Sequence, residues 1–569
     1  MKFPVKLVGL AQLLMLLMPQ SLSASCPAGA KPFATPAADA QVQSDLFTVT
    51  YYSTYKVVKY SGTLGQYKSG WPNVNERGAQ IPDLVLYQCG TDKPTTSQTG
   101  VTDGAHFFEI PIQRAALPWT GAMHFFEMLS LTGAISQIDM SYITSPCAQL
   151  LEVCTPGIHA SAYSNSWTTH VASADAIFTD SWGVGFSNSA RDVVFDVAFE
   201  PGALQRAGWL RFLALFFNEE DIADGILNRI EADYAALKAE ATRLHAEDAG
   251  GLGGRRPAFA WVTSFAHTCP ETYVCPSGLC TTCEAAGWKN LDGNWCQCGG
   301  WTLSNAHFKR ELVEDAGGRL VSLPAIYHES CSIETGNDGS TLYSCMTPAA
   351  SHFKALVMEA DVIVDETSVN NHGAYTLDDF ARNFDISSSE SSAMRREAVF
   401  RIDGSVSDEH ASGTVGSRWN EQMHAQPQQA LSDVMMGAWG SAFSSRCSLK
   451  FFRKLHGGQA QDVLQHTDCP IYSGTPEQFH CQTLHDYEHE LPTCGPAGAS
   501  GGGGQAASSG SDDDNTGMIL GLGLGLGLGL PALGVAACVG WRYSRGGGGL
   551  KAYVDKLDDK VVIGNPTSA

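Results

Sequence analysis

A long helical segment near the middle of the chain most constrains its fold. In EPGALQRAGWLRFLALFFNEEDIADGILNRIEADYAALKAEATRLHAED, Pro201 lies near a helix start. Apolar residues then follow at helical spacing: Ile222, Ile226, Ile230, Leu237 and Leu244. The pattern predicts at least one long helix, and the glycine-rich GGLGGRRP that follows ends it. The chain is therefore divided into a part before this helix and a part after it.

The two flanking parts carry similar segments in the same order. HFFEMLSLTGAISQI, from His124, and ADAIFTD, from Ala174, precede the helical segment. HFKRELVEDAGGRLV, from His307, and ADVIVDE, from Ala360, follow it. In each part the first segment is typical of a helix that ends at glycine and leads into a strand, and the second is a short apolar strand. Because alternating helices and strands favour parallel sheets, we predict an α/β fold of two Rossmann-like lobes joined by a long helical linker.

A strand-rich stretch opens the folded part of the chain. Residues 47–60, FTVTYYSTYKVVKY, alternate β-branched and aromatic side chains, which predicts one long strand. A Gly/Pro/Asn-rich turn follows, and DLVLYQCGT then predicts a second strand. The alternation alone also fits a β-sandwich domain, so this stretch does not decide the fold by itself.

Both ends of the chain are typical of export and membrane anchoring. The N-terminus has two lysines, an apolar run from Leu7 to Met18 and small residues before Cys26, as secretory signal peptides do. Near the other end, the 25 uncharged residues from Gly517 to Trp541 are long enough to span a membrane once. Acidic residues precede this stretch and basic residues follow it. The positive-inside rule therefore predicts a type I cell-membrane protein with an extracellular ectodomain.

These features define the expected organisation of the chain. The segments are a signal peptide, 1–25; an N-terminal α/β lobe, 26–200; a helical linker, 201–249; a C-terminal α/β lobe, 250–456, with a cysteine-rich insertion, 269–298; a cysteine-containing extension, 457–494; a flexible linker, 495–516; a transmembrane helix, 517–541; and a cytoplasmic tail, 542–569. Glycine and serine dominate the flexible linker, a composition that behaves as a random coil.

The cysteines indicate disulfide bonds. Of the 17 cysteines, Cys538 lies in the predicted span and 16 lie in the predicted ectodomain, which faces an oxidising compartment. Six of them fall between Cys269 and Cys298, with C-x-x-C and C-x-C spacings that would also fit a tetrahedral zinc site. In an exported chain disulfides are favoured over zinc, so we expect mostly closed disulfides and no metal site.

Charge and motifs argue against several function classes. The net charge of −23 disfavours nucleic acid as a partner. The sequence has no G-x-S-x-G, P-loop or H-E-x-x-H motif, and paired carboxylates such as Asp378 and Asp379 are typical of a solvated surface. The histidines that could be imagined as a metal cluster lack a recognised ligand motif: His106, His124, His267, His307 and His328. We therefore predict neither an enzyme nor a resident cofactor.

A series of segments occurs in a recognisable order across about residues 45–456. They are FTVTYYSTYKVV, LVLYQCGT, EIPIQRAAL, HFFEMLSLTGA, MSYITSPCAQL, ADAIFTDSW, FEPGALQRAGWLRFLALFFNEE, FKRELVEDAGGRLV, ADVIVDE, SRWNEQMHAQPQQALSDV and FFRKL. Their order resembles that of the helical-linker substrate-binding proteins of bacterial ABC importers, which bind ferric siderophores, haem and cobalamin. The resemblance implies non-catalytic binding between two lobes. The predicted membrane span departs from the bacterial pattern, so the uptake partner is left open between a permease and endocytic machinery.

Aromatic residues are the predicted ligand contacts, because ring faces bury the apolar surface of a chelate in a cleft beyond the strand ends. By the resemblance, pocket aromatics correspond to Trp182, directly after ADAIFTD, and Trp419, in the SRWNE loop after AVFRID. The further candidates are Tyr142 in MSYITSP, Trp119, Trp301 in GGWTLSN, and Arg418 as a partner for an anionic ligand group. Core packing is the alternative role for each of them.

Together these observations predict a cell-surface receptor that binds a ferric siderophore or similar metal chelate for iron uptake. Cobalamin or haem is the alternative ligand within the same fold. The contrasting class is a cysteine-rich adhesion or interaction ectodomain without a small-molecule site. Two α/β lobes about a central helix would favour the receptor, and an all-β disulfide scaffold would exclude it.

Overall fold

The structure is a computed structural model that describes residues 33, 44–61, 81–101, 103–164, 166–180, 189–270, 274–275, 278–279, 289–292, 295–323, 330–335, 340–346, 349–369, 372–387, 389–410, 414–443 and 448–471. Only the backbone is described for residues 266–270, 274–275, 278–279, 289–292, 295–299 and 372. Among the described residues, no helix is both long and apolar enough to cross a membrane. The predicted signal peptide, flexible linker, transmembrane helix and tail lie outside them.

The part before the central helical segment, here called the N-lobe, contains short strands and short helices. Its strands are β1 Phe47–Tyr51, β2 Tyr55–Tyr60, β3 Leu84–Gln88, β4 His106–Ile110, β5 Ala115–Leu117, β6 Ile135–Ile138, β7 Ala176–Thr179 and β8 Asp192–Val194. Its α-helices are α1 Thr96–Thr99, α2 Met123–Met128, α3 Pro146–Cys154 and α4 Trp167–His170.

Residues 47–60 form a hairpin rather than the single long strand that their alternation predicts. Strands β1 and β2 pair antiparallel with Phe47 opposite Tyr60, and the Tyr52 N–H donates to the Tyr55 carbonyl at 2.9 Å where the chain reverses. Both arms share the same two-residue period, so nothing in the pattern marks the reversal. The second predicted strand is present as β3.

The central segment and the part after it, here called the C-lobe, follow in chain order. The central helices are α5 Ala203–Ala207, α6 Trp209–Ala214 and α7 Glu220–Ala246. The C-lobe strands are β9 Ala258–Pro270, β10 Val274–Cys275, β11 Gly278–Leu279, β12 Lys289–Asp292, β13 Trp295–Asn305, β14 Arg319–Leu320, β15 Cys331–Thr335, β16 Thr341–Met346, β17 Val362–Asp365, β18 Val399–Arg401, β19 Ser405–Ser407, β20 Arg453–Lys454 and β21 Asp462–Leu464. Its α-helices are α8 His307–Asp315, α9 Ala350–Val357, α10 Leu377–Phe384, α11 Ser392–Arg395, α12 Arg418–Gln422 and α13 Pro427–Trp439.

Each lobe contains a parallel four-stranded unit with the same strand order. In the N-lobe the order is β6-β5-β7-β8. In the C-lobe the corresponding neighbours are β14-β9-β17-β18, within a sheet of nine strands among the described residues. Strands β1 to β4 form a separate four-stranded sheet. The prediction of an α/β fold with parallel sheets is therefore confirmed, and the similar segment order in the two halves corresponds to a repeated topology.

Helix α7 belongs to the cores of both lobes. Its first half buries residues such as Ile226 and Ile230 in the N-lobe core. Its second half buries residues such as Leu237 and Leu244 in the C-lobe core. The predicted long helix is thus present, although Ile222, which the spacing places on the same apolar face, is 49% exposed. A 27-residue helix that contributes to two cores fixes the distance between the lobes.

The cysteine-rich insertion begins as an extension of the C-lobe sheet. Strands β9 and β13 pair antiparallel along most of their length, with Cys269 opposite Cys296. The side chains of the insertion's cysteines lie outside the described residues. The expectation of disulfides rather than zinc in this segment therefore stays a prediction.

One disulfide joins the two lobes. Cys147 on α3 bonds to Cys469, which follows β21, across a sequence separation of 322 residues. Strand β21, which lies in the predicted extension, pairs parallel with β19 of the C-lobe. A second disulfide, Cys331–Cys345, lies within the β15–β16 hairpin. Every cysteine whose side chain the structure describes is in a disulfide, in agreement with the expectation of mostly closed disulfides.

The two described pairings allow a comparison of their contributions to stability. Replacing both Cys147 and Cys469 by serine is expected to lower the free energy of unfolding by about 5 kcal/mol, because the bond closes a very long loop in the unfolded chain. The matched control, Cys331→Ser with Cys345→Ser, removes a disulfide between residues only 14 apart in sequence. It is expected to lower the free energy of unfolding by about 3 kcal/mol. Urea unfolding of the two double variants measures this. An equal or reversed order would contradict the assignment of Cys147–Cys469 as the bond that holds the lobes together.

Candidate functional site

The carboxyl edge of the N-lobe's parallel unit collects several of the predicted ligand residues. Trp119 follows β5, Tyr142 follows β6 and Asp180 follows β7. Ligands of open α/β sheets bind beyond this edge, where the strand ends leave a crevice. Trp182, the first predicted pocket aromatic, comes two residues after Asp180 and lies outside the described residues. Its role stays a prediction.

Two tyrosines lie near this edge in loops that share one carboxylate. Tyr142 is half-buried, and Tyr163 is 61% exposed. The carboxylate of Asp139 holds both loops: Oδ1 accepts from the Ser141 N–H at 3.0 Å, and Oδ2 accepts from the Ala162 N–H at 2.8 Å. Tyr163 is not among the residues that the sequence predicts, because only the folded chain brings its loop beside the end of β6.

Both phenols stay protonated at neutral pH. Desolvation, and then the charge of Asp139, raise the pKa of Tyr142. For Tyr163, desolvation followed by the effects of Tyr142, Asp180 and Asp139 raises the pKa to about 12. The pair can therefore offer a ligand ring faces and hydroxyl donors rather than phenolate oxygens.

Trp119 packs partly into the N-lobe. Its ring lies 6.5 Å from that of Phe195, centroid to centroid, and directly over Gly121, where an added Cβ would come within 2.3 Å of the indole. Glycine at position 121 thus lets the ring lie flat against the chain. Trp119 is half-buried as a residue and follows the carboxyl end of β5.

Trp419 lies in the C-lobe core. It belongs to helix α12, whereas the sequence analysis placed it in a loop. Its side chain is 3% exposed, and its ring packs within 5.7 Å of the rings of Trp261, Phe451 and Phe452. In this conformation the indole offers almost no surface to a ligand. That Trp182 and Trp419 face each other across a cleft stays a prediction.

The other two C-lobe candidates also have partners within the protein. The indole of Trp301 stacks on Phe353 and its Nε1–H donates to the Asn383 carbonyl at 2.7 Å. Arg418 is half-buried on α12, and its Nε–H donates to Gln422 Oε1 at 2.7 Å. Burial lowers the pKa of Arg418 from its ordinary value, and nearby carboxylates, first Glu421, oppose that shift. The structure does not bring Trp301 and the N-lobe candidates together.

The carboxyl edge of the C-lobe unit is filled by buried ion pairs. Arg401, at the end of β18, donates to Asp365 at 3.1 Å and to Asp403 at 2.9 Å, and Arg453 donates to Asp403 at 2.9 Å. All four side chains are at most 5% exposed. Because each charge is paired within the core, this edge serves packing, and the accessible aromatic surface lies on the N-lobe side.

The C-lobe covers the N-lobe edge at backbone contact distance. A Cβ added to Gly416 would lie 2.0 Å from the Tyr142 carbonyl oxygen and 3.0 Å from the Thr144 methyl group. Beside this contact, the Thr144 N–H donates to Glu421 Oε2. Only glycine at position 416 permits the lobes to approach so closely.

A buried polar network lies beside this interlobe contact. Glu127 on α2 pairs with His124 Nδ1 at 2.9 Å and accepts from the Ser145 hydroxyl, while Glu421 enters from α12 of the other lobe. Burial, and then the charge of Glu127, raise the pKa of Glu421 to about 7. The two carboxylates are at most 2% exposed. They therefore belong to the interface rather than to a solvent-facing catalytic pair.

Comparisons with known proteins give structural similarities at low sequence identity. No protein-family model matches the sequence, and no curated protein matches it significantly. Similar solved structures include a periplasmic haem-binding protein from Pseudomonas aeruginosa, with 12% identity, 60% of this chain and 97% of that chain covered, and a TM-score of 0.35. They also include a petrobactin-binding protein from Bacillus subtilis, with 12% identity, 57% and 92% coverage, and a TM-score of 0.35. A periplasmic vitamin B12-binding protein of Vibrio cholerae shows 9% identity, 58% and 97% coverage, and a TM-score of 0.32. Similarities of this size establish neither a family nor a ligand for this chain.

The raised pKa of Glu421 gives the interface a defined pH dependence. The folded state holds this proton more tightly than the unfolded state, so the cost of ionising Glu421 is absent below about pH 4.5 and complete above about pH 7. Relative to wild type, Glu421→Gln is therefore expected to gain about 2 to 3 kcal/mol of stability between pH 5 and pH 8. Urea unfolding at the two pH values measures this difference.

The control for this measurement is Glu409→Gln, which removes an exposed carboxylate from the same lobe. Its stability difference from wild type at the two pH values gives the baseline for an exposed carboxylate. A Glu421→Gln difference that changes no more than this baseline would contradict the buried position of Glu421 beside Glu127.

Proposed function

We propose that the protein is a type I cell-surface receptor whose ectodomain binds a ferric siderophore or similar metal chelate for iron uptake, without catalysis. The chelate lies against the aromatic edge of the N-lobe, defined by Trp119, Tyr142, Tyr163 and the predicted Trp182. Haem or cobalamin is the alternative ligand at the same edge. Delivery after binding proceeds through a permease or by endocytosis.

The observation that carries the proposal is the convergence of partly accessible aromatic side chains at one carboxyl edge of a parallel sheet. Tyr142, Tyr163 and Trp119 come from different segments, and the loops of the two tyrosines are held by one carboxylate. Small-molecule sites combine aromatic surface with a few placed polar groups, because the first buries the ligand and the second orients it. Two neutral phenols and an indole provide both.

The fold favours this class over the adhesion alternative. A cysteine-rich adhesion ectodomain is expected to be an all-β disulfide scaffold, whereas the described residues form two parallel α/β units about a shared helix. The sequence resemblance to helical-linker substrate-binding proteins supports the same class. The predicted signal peptide and membrane span supply the proposed location at the cell surface.

Binding in this arrangement requires a limited separation of the lobes. The Gly416 segment and the Thr144–Glu421 hydrogen bond cover the N-lobe edge, so a chelate must displace them to reach both tyrosines. The Cys147–Cys469 bond keeps the lobes joined while this happens. The expected motion is therefore a local opening at the interface.

A fluorescence titration of the purified protein tests the proposal. Ferric hydroxamates, ferric catecholates, haem and cobalamin are added in turn, and one class is expected to quench tryptophan emission saturably. Tyr163→Ala and Trp182→Ala should each remove aromatic contact worth about 1 to 3 kcal/mol, a loss of roughly 5- to 150-fold in affinity. Trp419→Ala is a less specific test of ligand binding, because removing a core indole also lowers the stability of the fold by about 3 to 5 kcal/mol.

The matched control is Tyr52→Ala, which removes another exposed tyrosine, 39% accessible, from the β1–β2 turn. Its affinity should equal that of wild type. If no class binds below roughly 10 μM, about −7 kcal/mol, the receptor proposal fails. If one class binds and neither Tyr163 nor Trp182 matters, the placement of the site is wrong.

A further inference from the structure

Three side chains with metal-binding groups meet where the lobes touch. Glu152 lies on α3 of the N-lobe, His159 follows the same helix, and His410 follows β19 of the C-lobe. One ligand atom from each lies within 4.8 Å of the others. From this geometry we propose that the three residues form a binding site for a divalent transition-metal ion of the zinc class, which joins the two lobes.

The distances are close to those of a metal site before the metal enters. His410 Nε2 lies 3.6 Å from Glu152 Oε2, and the rings of His159 and His410 meet edge to face with centroids 4.8 Å apart. Ligand atoms around a tetrahedral ion at about 2.0 to 2.1 Å are themselves about 3.3 Å apart. Closing the cluster onto an ion thus requires side-chain shifts of about 1 Å rather than movement of either lobe.

The donor set selects the class of ion. Two imidazoles and one carboxylate suit zinc and its neighbours, whereas calcium and magnesium prefer oxygen ligands alone. Glu152 supplies the anionic oxygen ligand of the set, and the two histidines supply the nitrogen ligands. Three protein ligands leave a fourth position open for water, as in zinc sites that are not closed by protein.

The site opens onto a cavity of about 260 Å³ between the lobes. Glu152 and His410 are part of its wall, together with Asp408, Glu409 and His466. The cavity has room for the metal's water ligand, and the additional carboxylates raise the local concentration of cations. Metal entry therefore does not require the lobes to separate.

The backbone segments on both sides of the site are held in place by bonds that the metal would not disturb. On the N-lobe side, Cys147 fixes α3 through its disulfide to Cys469. On the C-lobe side, the backbone N–H of His410 donates to the Thr414 carbonyl at 2.9 Å. The Thr414 hydroxyl in turn donates to the Ser141 carbonyl of the N-lobe. The ligands therefore approach each other on a backbone that is already fixed across the interface.

One hydrogen bond opposes metal binding and limits the affinity. The Met140 N–H donates to His159 Nδ1 at 3.0 Å. A neutral imidazole that binds a metal through Nε2 carries its proton on Nδ1, and one that binds through Nδ1 has no free lone pair there. Either way the Met140 bond is lost, so we expect micromolar affinity rather than the tight binding of a preformed zinc site.

The sequence could not indicate this site. Glu152 lies within α3 and His159 lies seven residues later along the chain, after the helix has ended. His410 is in the other lobe. No spacing motif connects them, and the sequence analysis accordingly predicted no metal site. The proposal is independent of which solute the protein binds.

Isothermal titration of Zn²⁺ into the full-length, chelator-treated protein tests the site. Wild type should bind one zinc ion with micromolar affinity at this cluster, and zinc should raise the unfolding temperature. Glu152→Gln, His159→Gln and His410→Gln should each weaken that binding by at least the roughly 10- to 100-fold that loss of a supporting residue costs. Each should also abolish the thermal shift, while circular dichroism of the metal-free protein stays unchanged.

The control variant is His466→Gln, which changes a histidine in the same cavity wall but outside the three-residue cluster. Its zinc affinity should match that of wild type, and Ca²⁺ should not bind at the zinc site in any variant. Absence of zinc binding at 100 μM, which is about ten times weaker than the expected range, would overturn the proposal. Zinc binding that none of the three ligand substitutions weakens, including zinc held elsewhere in the chain, would overturn it equally.

Discussion

The close contact between Gly416 and the Tyr142 carbonyl determines how the two lobes meet. Any side chain at position 416 would push the lobes apart. This separation would break the Thr144–Glu421 hydrogen bond and expose the buried carboxylates behind it. The same contact places the C-lobe over the aromatic edge of the N-lobe. The proposed ligand site, the raised pKa of Glu421 and the Glu152–His410 approach all depend on this one close approach.

Periodic features of the sequence predicted the elements of the fold well. The apolar spacing of α7 and the similar segment order of the two halves correspond to a shared helix and to two parallel units of equal strand order. These predictions succeed because each depends on local sequence. The sequence pattern does not show the β1–β2 reversal, because both arms share one period. It does not predict α12 either, because a five-residue helix contains hardly more than one turn of pattern.

The candidate site is less predictable, because local sequence patterns do not show how deeply a side chain is buried or which distant segments it contacts. Trp419 follows β18 along the chain, as the sequence predicts, but its burial depends on the rings of Trp261, Phe451 and Phe452, which come from distant segments. Tyr163 was missed because its loop reaches the edge only through the Ile138–His159 bridge and the Asp139 carboxylate. Interlobe features such as a disulfide across 322 residues are invisible to spacing arguments altogether.

Hydrogen exchange at the Thr144 amide measures most directly whether the lobes are closed and joined as described. This N–H donates to a carboxylate of the opposite lobe, so it can exchange only when the interface opens. We expect slow exchange in the native protein and markedly faster exchange when Cys147 and Cys469 are both replaced by serine. Exchange as fast as that of exposed turn amides in the native protein, unchanged by loss of the disulfide, would contradict it.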